Sequence, residues 1–347
     1  MKILVNTPDL SLRGGVSNHY SGLKPYWKMR VKYNTVGKRY GLPSILILGF
    51  DYVKFPLLCL FGGFDVVLLN PSLGKTALLR DAWFLRIAKW FKKKTVVFFH
   101  GWHPSMVKSI SKQPTTFVKV YNRADGFLVL AKAFKDDLIR WGMTKPITLT
   151  TTKVDDALLK DFDIRDKRNK GTNLLFLTRI EEYKGVYIAV EAYQKAKAQY
   201  PGLTLTIAGD GSQLDAVQHL VKEKAIEDVE FLGHVSNTEL VMAFRKADLY
   251  ILPSFSEGMP TSVLEAMAFG LPIISRPVGG LVDFFEPGQM GYLLDSLDSK
   301  DFADTILELL QDPEKCKTIG TYNHNYAKQH FMASKVAAQL ERIFYEL

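Results

Sequence analysis

The sequence predicts an α/β protein built from two doubly wound domains, and three observations lead to that prediction. The 347 residues exceed what one hydrophobic core usually serves. Short, β-rich apolar runs alternate with segments of helical spacing in both halves of the chain. The balance of charge also changes sign near the middle of the sequence. We therefore expect two Rossmann-like domains whose parallel sheets face each other across a cleft.

The first half contains four uninterrupted apolar runs that are typical of buried parallel strands. They occupy residues 3–5, 66–69, 95–99 and 127–130. Between the second and third runs, apolar residues recur at helical spacing over 76–94, and basic residues end that segment at Lys92, Lys93 and Lys94. In a doubly wound domain this helix should pack its aromatic side chains on the sheet and leave the lysines exposed.

Residues 160–173 are polar and lack periodicity, so we predict that they link the domains. The N-terminal domain would then span 1–165 and the C-terminal domain 166–347, and the last helix could cross back to the first. A second set of alternating elements follows the linker. Its predicted strands are 174–177, 203–208, 229–232, 249–252 and 272–275, and its predicted helices are 186–199, 213–224, 239–246 and 261–269.

The composition points to a soluble, cytoplasmic protein. Cys59 and Cys316 are the only cysteines, which argues against a disulfide scaffold or a zinc site and fits a reducing compartment. The N-terminus is typical of a first strand and too short for a signal-peptide core. The most apolar stretch, 45–60, is interrupted by two charged residues and a proline, so it is not predicted to span a membrane.

The charge is distributed unevenly between the two halves. Residues 1–165 contain 27 Lys and Arg against 11 Asp and no Glu, an excess of 16 positive charges, whereas residues 166–347 carry an excess of 7 negative charges. Such asymmetry usually marks a surface that meets something anionic, although a solvated basic face would also explain it. We expect contact with an anionic membrane, at its inner face, or with a phosphate-bearing substrate.

Two carboxylates stand eight residues apart in the segment 253–272. Glu257 precedes the predicted helix 261–269, and Glu265 lies one turn inside it, so both can point to one place. The amides of Thr261 and Ser262 open that helix and form an anion site, which the helix dipole strengthens. A capped surface helix with two incidental glutamates would explain either glutamate alone, but not the whole string.

Two cations follow the first strand of the second domain. Arg179 and Lys184 lie in the loop after residues 174–177, and ligands bind at the carboxyl ends of strands in such sheets. Arginine offers a planar fork for phosphate oxygens, and lysine offers a point charge.

At this point the chain resembles a known family. The strings LTRIEEYKG, IAGDGSQ, FLGHV and PSFSEGMPTSVLEAMAFGLPIISRPVGG resemble the retaining glycosyltransferases of family 4, which have the GT-B fold. The similarity covers most of residues 172–295 in the family's order. In the first half, Gly14-Gly15-Val16 resembles the family's glycine-rich donor loop, and Phe99-His100-Gly101 its histidine strand end.

The resemblance implies that the N-terminal domain, 1–165, binds the acceptor and that the C-terminal domain, 166–347, binds the nucleotide sugar. It also implies roles for individual residues. Arg179 and Lys184 would bind the donor diphosphate, helped by the Thr261 and Ser262 amides, and Glu265 would hold the ribose hydroxyls. Glu257 would contact the sugar.

In the first domain, Gly15 would let the backbone approach the phosphate, and His100 would touch the transferred sugar. Without the resemblance, a plain turn and an ordinary strand-end histidine explain Gly15 and His100 equally well. Pro260 stands where many members have glycine, so we place less weight on contacts at 259–260.

The implied reaction moves a sugar, with retention, from a nucleoside-diphosphate sugar to an acceptor hydroxyl on a glycan or lipid-linked molecule. The setting would be synthesis of a bacterial-type surface polysaccharide or glycolipid. Fixed cations would stabilise the departing diphosphate, so we expect no metal and no cofactor. A donor phosphate oxygen is the family's usual proposal for the base.

Three other classes remain open. A nucleotide-sugar epimerase of the same fold would use water instead of an acceptor alcohol. A dinucleotide oxidoreductase fits less well, because no Gly-x-Gly-x-x-Gly follows the first strand. A non-enzymatic binder of anionic surfaces would explain the basic first half but not the motifs of the second, and we expect no nucleic-acid partner.

Overall fold

The computed structural model describes residues 1–37, 44–167 and 172–346, with only the backbone for residues 44 and 45. Contacts divide the chain into two compact units, and each has its own sheet. The first unit holds residues 1–153 together with the last helix, and the second spans Val154–Met332. The sequence placed this boundary at 165/166, in a linker of which residues 168–171 lie outside the described part.

The first unit is a six-stranded parallel sheet with helices between its strands. The strands are β1 (Lys2–Thr7), β2 (Arg30–Thr35), β3 (Val66–Leu69), β4 (Lys94–Phe99), β5 (Gly126–Val129) and β6 (Ile147–Leu149). The helices are α1 (Gly15–Leu23), α2 (Ser44–Phe61), α3 (Lys75–Trp90), α4 (Pro104–Lys112), α5 (Thr115–Tyr121) and α6 (Lys132–Trp141). The strand order is β2-β1-β3-β4-β5-β6.

The second unit repeats this architecture. Its strands are β7 (Asn173–Leu177), β8 (Thr204–Ala208), β9 (Val229–Gly233), β10 (Leu249–Leu252), β11 (Ile273–Ser275) and β12 (Gly291–Leu293). Its helices are α7 (Val186–Gln199), α8 (Leu214–Glu223), α9 (Asn237–Lys246), α10 (Thr261–Ala268), α11 (Ser299–Gln311) and α12 (Pro313–His330). All strand pairs are parallel, in the order β12-β11-β10-β7-β8-β9.

The C-terminal helix α13 (Ala333–Glu346) belongs to the first unit. The Glu341 carboxylate accepts hydrogen bonds from the backbone amides of Lys28 and Met29, at 2.6 and 2.9 Å. These bonds satisfy two amides at the end of the segment that follows α1, and they attach α13 there.

The predicted α/β fold class is confirmed, because the strands of both sheets are parallel and alternate with helices along the chain. The uninterrupted apolar runs form strands that are buried on both sides, as at Val66–Leu69. Strands β2, β6 and β12 were not predicted, because they are short or mostly polar. The side chains of β2, Arg30–Thr35, are for the most part partly exposed.

The prediction for residues 76–94, most of which form α3, was wrong about the end of the helix and about its packing. The helix ends at Trp90 and not at Lys94, which begins β4. Phe84 is fully buried, but Trp83 is 57% exposed and Trp90 83% exposed, so not all of its aromatic side chains pack on the sheet. Within the described residues, no helix is both long enough and apolar enough to cross a bilayer.

Candidate functional site

The order of the second sheet brings two distant loops together. Strands β7 and β10 are neighbours, although β8 and β9 lie between them in the sequence. The chain therefore extends the sheet in one direction from β7 and in the other from β10. In open parallel sheets, ligands bind at such a switch point, beyond the carboxyl ends of the strands. The loops in question are 178–185 and 253–260.

An ion pair joins these two loops. Lys184 Nζ lies 2.6 Å from Glu257 Oε1, and the two side chains are only 10% and 9% exposed. Lys184 ends a short 3₁₀ turn that begins at Glu182, and Gly185 follows it in the left-handed conformation, at φ 77°. The site therefore holds an ammonium group and a carboxylate in a largely water-excluded position, where electrostatic interactions are stronger than in water.

The loops are packed closely enough to fix this geometry. The amide of Phe255 donates to the Tyr183 carbonyl at 2.8 Å, and the Ser254 hydroxyl donates to the same oxygen at 3.2 Å. A Cβ atom at Gly185 would overlap the Pro253 carbonyl, so only glycine fits this approach.

Arg179 lies at the exposed side of the same site. Its guanidinium donates to the Tyr183 hydroxyl at 2.7 Å, with its carbon 5.9 Å from the centre of that ring. Lys184 Nζ lies 5.3 Å from the same ring centre. Tyr183 thus contacts both cations, and the arrangement presents one exposed fork and one buried point charge to an anion.

The loop after β8 supports the loop that carries Arg179. The Ile180 amide donates to the Asp210 carbonyl at 3.0 Å. A Cβ at Gly209 would overlap the Thr178 carbonyl, and one at Gly211 would overlap the Ile180 carbonyl. The Gly-Asp-Gly sequence therefore serves close backbone packing beside the site.

Helix α10 begins beside these cations. Pro260 is its N-cap, and its carbonyl accepts from the amides of Val263 and Leu264, so those of Thr261 and Ser262 precede the intrahelical bonds. The Tyr250 hydroxyl donates to the Leu177 carbonyl at 2.8 Å, so Ser262 Oγ must donate to the tyrosine oxygen, 2.7 Å away. The Ser262 hydroxyl proton is therefore already used, and the backbone amide is the group suited to an anion.

Both predicted carboxylates act on Tyr250, which lies beneath the helix entry. Burial raises the pKa of Tyr250, and the charges of Glu257 and Glu265 raise it further. Glu265 is 6% exposed, on the second turn of α10. The two carboxylates that the sequence set eight residues apart therefore converge on one region.

In the first unit, His100 lies at the end of β4 and belongs to a polar network. Its Nε2 is 3.0 Å from Asn70 Oδ1, which also accepts from the Tyr20 hydroxyl at 2.5 Å. Asn70 Nδ2 donates to the Asn6 carbonyl at 2.8 Å, and this bond sets the orientation of the amide. Asn6 and Asn70 belong to the ends of adjacent strands, β1 and β3, at the switch point of this sheet.

This network assigns the tautomer of His100. Because Asn70 Oδ1 can only accept, the proton of the neutral ring must be on Nε2, and Nδ1 is then an acceptor. Burial lowers the pKa of His100 to about 3, so the ring is neutral at physiological pH. The ring can accept a hydrogen bond from a hydroxyl group but carries no positive charge.

His19 lies against this network. Its ring centre is 5.3 Å from that of His100, and neither ring nitrogen has a hydrogen-bond partner among the described residues. Burial, with smaller contributions from His100 and Lys153, lowers the pKa of His19 well below its usual value.

Gly15 starts α1, the helix that carries His19 and Tyr20. It is exposed, and a Cβ placed there would meet no described atom within 4 Å. The chain itself therefore does not demand glycine at this position, and the space beside it is open.

Sequence reasoning missed Tyr183, Tyr250 and Asn70. Tyr183 lies between the two predicted cations and contacts both. Asn70 is the polar residue directly after an apolar strand, as His100 is, but the family resemblance drew attention only to His100. Tyr250 lies within an apolar run, which gave no such signal.

A cavity of about 520 Å³ lies at the opposite, amino-terminal edge of the second sheet. Its lining includes Asp161 and Asp163, the only Asp-x-Asp pair in residues 1–165, a spacing that metal-dependent transferases use. Asp163 pairs with Arg165 at 2.5 Å and caps the turn that follows. The two aspartates therefore lie apart from Lys184 and the start of α10, and the Phe162 ring between them packs against Phe269, which caps the other end of that helix, at 4.9 Å between centres.

Comparisons with known proteins show what this chain resembles. Residues 159–326, just under half of the chain, match the family described as glycosyl transferases group 1. The structure of Anabaena Alr3699/HepE in complex with UDP and glucose covers all of both chains, with a TM-score of 0.76 and 20% identity. Sucrose-phosphate synthase from Thermosynechococcus elongatus covers 99% of this chain and 98% of its own, with a TM-score of 0.73 and 18% identity. The fold is that of the GT-B glycosyltransferases.

The curated relatives match this chain over part of their length. Glycogen synthase of Mycobacterium tuberculosis (strain CDC 1551 / Oshkosh) is 35% identical over 46% of this chain and 38% of its own. N-acetyl-alpha-D-glucosaminyl L-malate synthase of Bacillus anthracis is 32% identical over 50% and 45%. The amylovoran biosynthesis glycosyltransferase AmsK of Erwinia amylovora is 26% identical over 65% and 58%. The chain thus spans less than two thirds of each of these relatives.

Proposed function

We propose that this chain is a retaining glycosyltransferase of family 4 that transfers a sugar from a nucleoside-diphosphate sugar to an acceptor hydroxyl. The observation that carries the proposal is the buried Lys184–Glu257 pair at the switch point of the second sheet. It lies beside the entry of α10, within the segment that matches the group 1 glycosyl transferases.

The donor diphosphate would bind where positive potential is fixed. Glycosyl transfer builds up negative charge on the departing diphosphate, and preorganised donors stabilise that charge without reorganisation. Arg179 would grip the diphosphate from the exposed side, and Lys184 would contribute its charge from the buried side. The Thr261 and Ser262 amides add the helix dipole. These groups supply the charge that a metal supplies elsewhere, so we propose a metal-independent reaction without a cofactor.

The sugar hydroxyls would be held by one neutral and one anionic hydrogen-bond acceptor. His100 Nδ1 would accept a hydrogen bond from a sugar hydroxyl, since Asn70 fixes the proton on Nε2. Glu257 would accept from another hydroxyl while remaining paired with Lys184. Glu265 would hold the ribose diol, and Gly15 would let the backbone approach the phosphates. A donor phosphate oxygen would take the acceptor proton.

The acceptor would be a glycan or a lipid-linked molecule, in synthesis of a surface polysaccharide or glycolipid. The excess of 16 positive charges in residues 1–165 supports an anionic acceptor or an anionic membrane at the cytoplasmic face. AmsK, among the relatives, is named for polysaccharide biosynthesis. Because the structurally similar Alr3699/HepE forms a complex with UDP and glucose, UDP-glucose is the first donor to test.

The test is release of nucleoside diphosphate from a panel of nucleotide sugars that begins with UDP-glucose. A transferase should release it slowly with water alone and faster when a suitable acceptor alcohol is present, with the sugar attached to that acceptor in retained configuration. Release of a free, epimerised sugar that no acceptor captures would indicate the epimerase instead. If no nucleotide sugar binds by calorimetry and none is cleaved, the proposal is wrong.

A pair of conservative variants separates the two carboxylates. Glu265→Gln should weaken nucleoside-diphosphate binding by about tenfold or more, because a charge-assisted hydrogen bond to the ribose is worth about 1.5–3 kcal/mol. Glu257→Gln should mainly lower kcat, because contacts with the sugar can favour the transition state selectively. Calorimetry with the diphosphate and steady-state kinetics on both variants decide the matter, and the reverse pattern would exchange the two roles.

A further inference from the structure

The most exposed side chains of helix α2 are apolar, and the partly exposed Lys54 lies at the edge of the face that they form. Its side chains at positions 46, 50, 53, 57, 60 and 61 recur at spacings of three and four residues and therefore form one stripe. Each is more than half exposed: Leu46, Phe50, Val53, Leu57, Leu60 and Phe61. The stripe extends roughly 22 Å along the helix at 1.5 Å per residue. We call it the α2 stripe.

The opposite face of α2 is attached to the domain. Ile47, Asp51, Phe55 and Cys59 are buried, and the Phe55 ring packs against Phe84 of α3 at 4.8 Å between centres. The helix therefore cannot turn its apolar stripe inward without giving up this packing. Monomeric proteins rarely expose contiguous apolar surface of this extent without using it to bind something.

The neighbouring helix α3 exposes aromatic and basic side chains. Leu79, Trp83 and Trp90 are more than half exposed, and the Arg86 guanidinium lies 5.6 Å from the Trp83 ring centre. Lys75 at the start of the helix, and Lys92 and Lys94 just beyond its end, are exposed as well. Tryptophan and basic residues beside an apolar face are the composition of a helix that lies in a membrane interface.

The charges around the α2 stripe indicate which kind of partner it binds. The only acidic residues of the two helices, Asp51 and Asp81, are both buried, so their exposed faces carry cations but no carboxylate. A second copy of this chain would bring the same cationic faces into contact, because a two-fold interface pairs a surface with itself. An anionic bilayer supplies both apolar chains and complementary headgroups.

We propose that the α2 stripe inserts into the interface of an anionic bilayer, with Trp83 and Trp90 at the headgroup level and the flanking cations on the phosphates. This deepens the membrane contact proposed above, which rested on net charge alone and required no insertion. It does not depend on transferase activity, since vesicles without any nucleotide sugar test it.

The experiment is cosedimentation of the full chain with vesicles of phosphatidylcholine, with and without phosphatidylglycerol. We expect binding to the anionic vesicles at low salt, of which a measurable part survives at about 1 M salt, where the screening length is only about 3 Å. Acyl chains brominated near the headgroup should quench the tryptophan fluorescence, because Trp83 and Trp90 would lie at that depth. Complete release at high salt together with no quenching would overturn insertion.

Matched variants locate the contact. Phe50→Ser/Leu57→Ser should weaken vesicle binding about tenfold or more and abolish the salt-resistant fraction, because the bilayer would no longer bury these two apolar side chains. Ile139→Ser/Leu149→Ser, which changes exposed apolar residues elsewhere in the same unit, should bind like the unmodified chain. Equal binding by both variants would overturn the assignment to α2.

Further measurements keep the result unambiguous. The circular dichroism spectrum and the thermal unfolding midpoint should be unchanged in Phe50→Ser/Leu57→Ser, which shows that the variant is folded whether or not the transferase proposal is correct. Sedimentation velocity without lipid should show a monomer. A concentration-dependent dimer that the same variant abolishes, with no binding to vesicles, would identify a second copy as the partner and refute the bilayer.

Discussion

Arg179 and Lys184 follow the same strand, but their environments differ. Arg179 is exposed and bonded to Tyr183, whereas Lys184 is buried and paired with Glu257. Removing an exposed cation takes away one contact with a ligand. Removing a buried cation also leaves its partner carboxylate uncompensated. The same substitution at the two positions therefore has different consequences for stability.

Arg179→Ala should weaken nucleoside-diphosphate binding without lowering the thermal unfolding midpoint. A charge-assisted contact worth about 1.5–3 kcal/mol corresponds to a loss of about tenfold to 150-fold in affinity. Titration calorimetry measures the loss, and Lys222→Ala, an exposed cation on α8, is the matched control. Unchanged affinity in Arg179→Ala would remove Arg179 from the site.

Lys184→Met should lower both binding and stability. An unpaired buried carboxylate costs about 3–5 kcal/mol, so the free energy of unfolding of the second unit should fall by that order. Lys184→Met/Glu257→Gln should recover much of the stability but none of the binding. Urea denaturation followed by circular dichroism tests the first statement and calorimetry the second. A double variant less stable than the single one would contradict the pairing.

At the scale of elements, glycines let the loops after β7 and β10 approach each other. Gly185 is in the left-handed conformation and lies against the Pro253 carbonyl. Gly142, at the end of α6, has a similar conformation but open space around it. Comparing substitutions at Gly142 and Gly185 therefore separates the free-energy cost of an unusual backbone conformation from the cost of steric overlap.

Gly142→Ala should therefore cost only about 1 kcal/mol in the free energy of unfolding. Gly185→Ala should cost more and should also weaken diphosphate binding, because the loop that carries Lys184 must move away from Pro253. Denaturation and calorimetry on the two variants provide the comparison. Equal stability losses with unchanged binding would show that the contact between the loops is not needed.

At the scale of the whole molecule, two histidines whose pKa is lowered make the first unit sensitive to acid. His19 and His100 both have a lowered pKa, caused chiefly by burial, and that of His100 falls to about 3. In the unfolded chain a histidine takes up its proton near pH 6.5. The unfolded state therefore binds more protons than the folded state between these pH values, and stability falls as the pH is lowered through that range.

The free energy of unfolding of the first unit should thus be highest above pH 6.5 and decline toward pH 4. In His100→Gln the decline should be smaller by on the order of 1–3 kcal/mol. All five tryptophans lie in the first 153 residues, so their fluorescence follows this unit alone during urea denaturation. His103→Gln, an exposed histidine of the same unit, should decline like the unmodified chain. A parallel decline in His100→Gln would contradict the lowered pKa of His100.

Local pattern was enough to predict much of the molecule. Apolar runs such as 66–69 and 249–252 form strands with those bounds, and helix 186–199 also has its predicted limits. These elements are readable because their burial and spacing are properties of neighbouring residues. The motif around Arg179 and Lys184, and the one from Glu257 to Glu265, likewise identified loops at strand ends before any strand order was known.

What only the tertiary structure decided depends on residues that are distant in the chain. Hydrogen bonds between strands place β7 beside β10, and so Lys184 beside Glu257, and they place β1 beside β3, and so Asn70 beside Asn6. Helix α2 is apolar nearly all round, so its periodicity could not show which face would be buried. Packing against Phe84 made that choice and left the α2 stripe outside. Sequence patterns show which residues are apolar, and long-range packing determines which of these apolar residues are buried.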